Sequence, residues 1–193
     1  CVEAGAKTAL MEVDDIALHY LHEHGREPKA CFASDADAHF AAVYDIDLGT
    51  ITPIVAKPHF VDNVCPAKEA AGVKIDEAFL GSCNNGRIED LRVGAELLKG
   101  RKVHPLVRFL VVPASQAVYQ QALKEGLLKI FMEAGAIVMN PNCSVCWGSC
   151  QGVIGENEVL ISTGTRNFKG RAGHPSSKVY LGSAATVTAS AIA

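Results

Sequence analysis

The fold is decided by the stretch 78-AFLGSCNNGRIEDLRVGAELLKG-100, in which a strand pattern runs directly into a helix pattern. Residues 78–83 are apolar or small, which is typical of a buried β-strand that ends at small residues. From residue 87 onward, apolar side chains recur at the spacing of an α-helix, and Gly100 stands where such a helix would stop. The stretch therefore predicts a strand, a turn containing Cys83 and an amphipathic helix.

The same alternation of strand and helix patterns continues to the end of the chain. Apolar runs predict four more strands, at residues 107–115, 136–140, 158–165 and 178–184. Helical patterns cover residues 116–135, where Gly126 can break the helix, and 185–193. Apolar strands that alternate with helices predict parallel β-α-β units with both faces of the sheet buried, and hence an α/β fold.

The N-terminal part of the chain is less regular. A helix is predicted at 11–25, and extended segments interrupted by proline at 45–66. The pattern at residues 2–10 begins without a cap, so we expect the chain to be part of a longer polypeptide. We expect two domains, with residues 1–76 forming a partial α/β lobe that continues a missing N-terminal part, and residues 77–193 forming an α/β domain.

The composition excludes several classes of function. The 193 residues carry a net charge of −3 and are 49% hydrophobic, and no basic face with interleaved aromatic residues supports nucleic-acid binding. No apolar run approaches the ~20 residues of a membrane span, and no basic region followed by an apolar run marks a secretory signal. We therefore expect a soluble, cytoplasmic protein without a membrane or nucleic-acid partner.

Cysteine is the residue type that points to chemistry. The chain has seven cysteines, and in a reducing compartment clustered cysteines serve metal binding or catalysis more often than disulfides. Three of them lie in 140-NPNCSVCWGSCQG-152, where Cys143 and Cys146 form C-x2-C, a spacing that lets two thiolates face one metal centre. Spacing alone leaves a zinc site, a redox pair, a disulfide, an iron–sulfur cluster and simple packing of small side chains all open.

Cys83 can supply a third thiolate, because it lies at another strand end beside a predicted helix start. Three protein ligands on a four-iron cluster would leave one iron open as a Lewis acid for a hydroxyl and a carboxylate. Cys150 lies one helical turn beyond Cys146 and can face the same way, but a packed thiol is the plainer interpretation of it. Cys1, Cys31 and Cys65 have no partner by spacing, and we expect core or surface thiols there.

Polar residues gather where the predicted strands end. The carboxyl ends of parallel strands form one edge of a sheet, where ligands bind, so we expect Cys83, residues 140–146 and residues 165–171 to share one site. Arg166 and Arg171 offer planar forks that match carboxylates, although two solvated surface arginines would give the same pattern. Cys83 is flanked by Ser82, Asn84 and Asn85, whose side chains can bond cluster sulfurs or substrate. The plainer interpretation is that they cap the helix and form the turn.

Three motifs in order, 81-GSCNNGRIEDL-91, 140-NPNCSVCWG-148 and 162-STGTRNFKGRAG-173, resemble the aconitase superfamily, and within it the large subunits of 3-isopropylmalate dehydratase and homoaconitase. The resemblance runs from 2-VEAGAKTAL-10 to the last helix. It implies an iron-sulfur α/β domain at residues 77–193 that binds a [4Fe-4S] cluster.

The resemblance also implies the site residues and the reaction. The cluster ligands match Cys83, Cys143 and Cys146, the arginines that bind substrate carboxylates match Arg166 and Arg171, and a glutamate near the iron-bound oxygen matches Glu3. The implied reaction is that of a hydro-lyase, which isomerises a 2-hydroxy di- or tricarboxylic acid by dehydration and rehydration. A small swivel-domain subunit and the missing part of the large subunit would complete the active site, so we expect this chain alone to be incomplete.

Some positions depart from the family pattern. Asn84 replaces the usual threonine, 142-NCSVC-146 replaces G-C-G-P-C, and Thr165 replaces an asparagine. The ligands survive each change, while contacts around the sulfurs can differ. The changes leave homoaconitase and 2,3-dimethylmalate dehydratase open as alternatives, and a cluster-dependent, iron-responsive binding protein on the same fold is the non-enzymatic alternative.

Overall fold

The computed structural model describes residue 1 and residues 5–192. The chain divides into two compact units, Cys1–Thr50 and Ile51–Ala193. In the first unit, helix α1 spans Asp15–Glu23, and its N-cap, Asp14, accepts a hydrogen bond from the backbone N–H of Ala17 at 2.8 Å. The helix predicted at 11–25 is confirmed, but it starts only at the residue after this cap. No residue of α1 is buried.

The second unit is built on a seven-stranded, mostly parallel sheet, which confirms the predicted α/β class. The strand order is β2-β1-β7-β6-β3-β4-β5, and β1 pairs antiparallel with both β2 and β7, while β3 to β7 pair in parallel. The strands are β1 Ile54–Ala56, β2 Val64–Pro66, β3 Glu77–Leu80, β4 Arg108–Val111, β5 Ile137–Val138, β6 Val159–Ser162 and β7 Lys178–Leu181.

Four helices complete this unit: α2 Ile88–Leu98, α3 Gln116–Lys124, α4 Leu127–Ala134 and α5 Ala184–Ile192. The predicted break in the long helix is confirmed, because Gly126 adopts a left-handed conformation with φ 75° between α3 and α4. A residue with a side chain is disfavoured there, so glycine sets the break.

The two faces of the sheet are covered differently. On one face, α2, α4 and α5 bury Leu91, Phe131 and Val187 against the strands. On the other face, Phe79 of β3 packs with residues from irregular segments, including Val145. Burial of the strands on both faces is therefore confirmed, but loops rather than helices cover the second face.

The extended segments predicted at 45–66 form the short hairpin of β1 and β2, which joins the sheet through the pair Ala56 and Leu181. The compact unit thus begins at Ile51, upstream of the domain boundary expected between residues 76 and 77. The two-domain division of the polypeptide stays a prediction. None of the helices in the described ranges is both long and apolar enough to cross a bilayer.

Candidate functional site

Three loops that carry the predicted site residues leave the carboxyl ends of β3, β5 and β6. β6 and β3 are neighbours in the sheet, whereas β5 lies at its edge, separated from β3 by β4. The loop after β5 must therefore cross β4 to reach the other two. It does so across the second sheet face, where Val145 is buried at 2% exposure.

The crossing of the β5 loop depends on glycines. A Cβ on Gly152 would lie 2.1 Å from Leu110 Cδ1 of β4, and a Cβ on Gly148 would lie 2.2 Å from the carbonyl oxygen of Arg171. Beyond them, Ile154 donates its backbone N–H to the carbonyl of Ala172 at 3.0 Å. The close approaches bring the segment that follows Cys146 against the loop that carries the arginines.

The C-x2-C pair lies on one short 3-10 turn, Ser144–Cys146. Ser144 is buried; its backbone N–H donates to Asn142 Oδ1 at 2.6 Å, and its hydroxyl donates to the carbonyl of Gln151 at 2.7 Å. Ser144 and Val145 of this turn are buried, whereas Cys143 is exposed and Cys146 is half-buried. Cys143 is therefore open to solvent, whereas Cys146 also packs against the apolar cluster on the second sheet face.

Cys83 lies in a turn that is held on both sides. The carbonyl of Ser82 accepts from the N–H of Gly86 at 2.8 Å, and the carbonyl of Gly86 accepts from the N–H of Ala114 at 2.8 Å, which ties the turn toward β4. A Cβ on Gly86 would lie 2.3 Å from the carbonyl oxygen of Val112, so only glycine fits. Cys83 itself is exposed.

On its other side the turn is tied to the loop after β6. The side-chain amide of Asn85 donates to the carbonyl of Thr163. The Thr163 hydroxyl accepts from the N–H of Gly81 at 3.0 Å and donates to the carbonyl of Gly81 at 2.6 Å. Asn85 is thus committed to a backbone contact rather than to a sulfur.

The two other polar residues predicted beside Cys83 differ in exposure. Ser82 is buried at 4% exposure, whereas Asn84 is exposed and points out of the turn with Cys83. Neither has a role in α2, since that helix begins at Ile88 after Arg87, whose N–H donates to Asp90 Oδ2 at 3.2 Å. Helix capping, the plainer interpretation of these polar residues, does not account for them.

The loop after β6 carries both predicted arginines. Arg166 and Arg171 are each half-buried, and the Nε of Arg171 is buried without a hydrogen-bond partner in the described part of the chain. Asn167 is fully buried, and its amide donates to the carbonyls of Lys57 at 2.8 Å and Phe60 at 3.2 Å, which fastens the loop to the β1–β2 hairpin. The interpretation of these arginines as merely solvated surface residues is wrong for Arg171.

Sequence reasoning missed Thr163 and Asn167. Each contacts a partner that is distant in the chain, 82 residues away for Gly81 and 110 for Lys57. No local spacing predicts such contacts. Glu3, the predicted carboxylate, lies outside the described residues.

The donor set fits an iron–sulfur cluster in kind. All seven cysteines are free, and thiolates are the ligands such clusters take. Cys146 Sγ lies 4.0 Å from the position a Cβ on Gly164 would occupy, so this thiol borders the end of β6, directly after Thr163. No group of three His, Cys, Asp or Glu side chains within the described ranges is gathered closely enough for a metal ion. A four-iron cluster is larger than a single ion, so its thiolates lie farther apart.

A cleft of about 540 Å³ opens beside these loops. Its lining includes Asn85, Thr163 and Gly164, together with apolar side chains such as Ile54 and Val64. A larger groove of about 780 Å³ lies beside α5, and its described lining contains neither cysteine nor arginine. The described lining of the smaller cleft also lacks cysteine and arginine, but it includes Asn85 and Thr163, so this cleft adjoins the Cys83 turn and the loop after β6.

The strongest electrostatic perturbation lies away from the site, at the amino end of β3. Burial raises the pKa of Glu77 to about 7, despite a hydrogen bond from Arg108 Nε at 2.9 Å. Arg108 directs its two terminal nitrogens to Glu158, at 2.8 and 2.7 Å, and these bonds lower the pKa of Glu158. This network joins β3, β4 and the segment before β6, and its role is structural.

Comparison with known proteins supports the resemblance seen in the motifs. The sequence profile of the Aconitase family (aconitate hydratase) matches residues 1–72 and 66–193. The chain is 47% identical over 191 residues to the 3-isopropylmalate dehydratase large subunit of Hydrogenobaculum sp. (strain Y04AAS1), with 99% of the chain and 45% of that relative covered.

Two further relatives agree. The 3-isopropylmalate dehydratase large subunit of Aquifex aeolicus is 48% identical over 196 residues, covering 99% of the chain and 45% of the relative. A probable 3-isopropylmalate dehydratase large subunit of Methanothermobacter thermautotrophicus is 49% identical over 191 residues, covering 99% and 46%. The chain thus spans less than half the length of these curated relatives.

Proposed function

The chain belongs to the aconitase family, and from that premise we propose that it forms the cluster-binding part of the large subunit of a hydro-lyase of the 3-isopropylmalate dehydratase type. In this proposal Cys83, Cys143 and Cys146 hold a [4Fe-4S] cluster. When bound, such a cluster supplies an open iron that acts as a Lewis acid toward the substrate's hydroxyl and carboxylate oxygens.

The observation that carries the proposal is the meeting of three loops at the carboxyl edge of the sheet. Asn85 and Thr163 join the Cys83 turn to the end of β6, and Gly148 packs against Arg171. Cys146 borders the same point. The loops that carry the proposed thiolate ligands and the proposed arginines therefore contact one another, which supports one shared site for a metal-assisted reaction on an acid.

We assign the arginines to the substrate's carboxylates. A guanidinium donates two parallel hydrogen bonds to a carboxylate, so it fixes orientation as well as charge. The buried Nε of Arg171 lacks an acceptor among the described residues, which a bound anion would supply. Two such groups on one loop favour a 2-hydroxy di- or tricarboxylic acid, and the apolar side chains that line the cleft beside Thr163 suit its hydrocarbon part. Asn84 and Ser82 border the same turn and are proposed substrate contacts.

Several parts of the proposal rest on family membership. Glu3 is proposed to move the proton of the reacting oxygen. The partners are a small swivel-domain subunit and the rest of the large subunit, and the cytoplasmic location stays a prediction. Homoaconitase and 2,3-dimethylmalate dehydratase are the alternative activities, and an iron-responsive binding protein is the alternative without catalysis. A panel of the three hydroxy acids, offered to the full-length large subunit with its small subunit, separates these cases.

Anaerobic reconstitution with iron and sulfide tests the ligand assignment directly. We expect about four irons per wild-type chain and a brown protein, and a loss of bound iron in Cys83→Ser, Cys143→Ser and Cys146→Ser. Cys150→Ser is the matched control, since Cys150 is also an exposed thiol of the cysteine stretch. Iron uptake that is equal in all four variants and the wild type would remove the three ligands from the proposal.

A further inference from the structure

We propose that Thr163 and Asn85 form a clamp that positions the Cys83 thiol relative to Cys146, and that Thr163 is its central positioning residue. The inference rests on the proposed function, because it concerns how the thiols are held for the cluster. It adds two residues that are not ligands of the cluster.

The first step is the unusual use of one hydroxyl. Thr163 Oγ1 bonds both backbone groups of a single residue, accepting from the N–H of Gly81 at 3.0 Å and donating to its carbonyl at 2.6 Å. Thr163 is 3% exposed, so water cannot replace these bonds. The backbone at Gly81, two residues before Cys83, is therefore fixed to the end of β6.

The second step is the contact at the far end of the turn. Asn85 donates its side-chain amide to the carbonyl of Thr163. Thr163 therefore forms hydrogen bonds with the Cys83 turn both before the thiol, at Gly81, and after it, at Asn85. The N–H of Thr163 in turn donates to the carbonyl of Phe79 at 3.0 Å, so that the clamp is continuous with the β3–β6 pairing.

The third step links the clamp to the other thiol. Gly164 follows Thr163, and its N–H donates to Ser162 Oγ at 2.8 Å, which fixes its direction. A Cβ on Gly164 would lie 4.0 Å from Cys146 Sγ. The segment 162–164 thus contacts the turn of Cys83 and borders the thiol of Cys146. Thr163 therefore helps to set the position of one thiol relative to the other.

The test compares iron retention in the full-length large subunit carrying Thr163→Val, Thr163→Ser or Asn85→Ala. Valine keeps the shape of threonine but removes both bonds to Gly81, and we expect iron to be lost to a chelator about ten- to hundredfold faster. Serine keeps the hydroxyl and should restore retention to the wild-type rate. Asn85→Ala loosens only one end of the turn and should lie between the valine variant and the wild type.

The chain offers a matched control. Thr188 is fully buried in α5, and its hydroxyl has no hydrogen-bond partner within residues 5–192. Thr188→Val therefore makes the same chemical change at a buried position away from the loops, and we expect it to retain iron like the wild type. Far-UV circular dichroism and melting temperatures show which variants remain folded. If Thr163→Val does not fold, the rate of iron loss from Asn85→Ala tests the clamp instead.

A second readout separates positioning from general stability. The electron paramagnetic resonance spectrum of the oxidised three-iron form reports the surroundings of the bound iron, and we expect it to change in Thr163→Val and to return in Thr163→Ser. Wild-type rates and spectra in both Thr163→Val and Asn85→Ala would overturn the clamp while leaving the ligand assignment intact. A wild type that binds no iron would instead overturn the proposed function, and the clamp with it.

Discussion

Glu77 allows a quantitative test of the forces that hold the sheet together. Its side chain is fully buried at the start of β3, and Oε2 accepts from Arg108 Nε at 2.9 Å. Oε1 is buried and has no hydrogen-bond partner among the residues that the structure describes. Arg108 gives its two-pronged contact to Glu158 and only one N–H to Glu77. Loss of hydration therefore outweighs the attraction of Arg108, and the pKa of Glu77 rises from 4.5 to about 7.

The sign of the effect on stability follows from proton binding. Since the pKa of Glu77 is higher in the folded state, the folded protein binds more protons than the unfolded chain between pH 4.5 and about 7. Its contribution to stability is fully present below pH 4.5 and is lost as the pH rises through about 7. One pKa unit corresponds to about 1.4 kcal/mol, so the loss amounts to about 2–3 kcal/mol between about pH 5 and about pH 8.

Glu77→Gln removes this titration while keeping the shape of the side chain and an oxygen that can accept from Arg108. We expect the variant to gain about 2–3 kcal/mol of unfolding free energy relative to wild type between about pH 5 and about pH 8. Urea unfolding of the cluster-free protein, followed by far-UV circular dichroism, measures the difference at each pH. Other titrating groups, including the seven histidines, are common to both proteins and cancel.

Glu156→Gln serves as the control, because Glu156 is an exposed carboxylate two residues from Glu158. It shows what removal of one exposed carboxylate does to the unfolding free energy at each pH. A constant difference for Glu77→Gln would show that Glu77 keeps its ordinary pKa. A change of the opposite sign would show that Arg108 holds the carboxylate ionised, and the argument from burial would then fail.

Two further predictions concern the loops of the site. Gly148→Ala should cost about 1–3 kcal/mol of stability and weaken iron retention, because Gly148 has φ 74° and a Cβ there would lie 2.2 Å from the carbonyl oxygen of Arg171. Gly155→Ala is the control, since a Cβ at Gly155 meets only the Glu158 side chain, at 3.6 Å or more. This control should match the wild type in urea unfolding and in the rate of iron loss to a chelator. Arg171→Lys should raise KM for the hydroxy acid roughly tenfold with iron content unchanged, because lysine lacks the two-pronged fork; an unchanged KM in steady-state assays with the small subunit would remove Arg171 from substrate binding.

The sequence predicts the parts of the fold that depend on local pattern. The strand at 107–115 and the helix at 87–100 follow from periodicity, and the break between α3 and α4 follows from Gly126. The observed strands are shorter, since β4 covers only Arg108–Val111. The apolar pattern of a segment shows which residues can be buried. The ends of a strand depend instead on where its hydrogen bonds to the neighbouring strand stop, and the sequence pattern does not show this.

The architecture of the second sheet face was not predictable in the same way. Helical periodicity in the sequence predicts the helices that cover the first face. Val145 and Ile154 cover the second face, and they lie in segments that show no hydrophobic periodicity. Their burial depends on the close passage of Gly148 and Gly152 over other backbone and side chains. Such contacts are set by the tertiary path of the loop, and no local spacing encodes them.

The candidate site combines two kinds of support, and this explains which of its residues the sequence could show. The C-x2-C turn is anchored by Val145, which lies between the two cysteines and is buried by the non-directional hydrophobic effect. This anchor is part of a motif that can be recognised in the sequence. Cys83 is held instead by directional hydrogen bonds from Thr163 and Asn85. Directional bonds fix position more closely than burial does, and they act between residues distant in the chain. The ligands can therefore be read from spacing and family resemblance, whereas the residues that set the separation of the ligands emerge only in the folded structure.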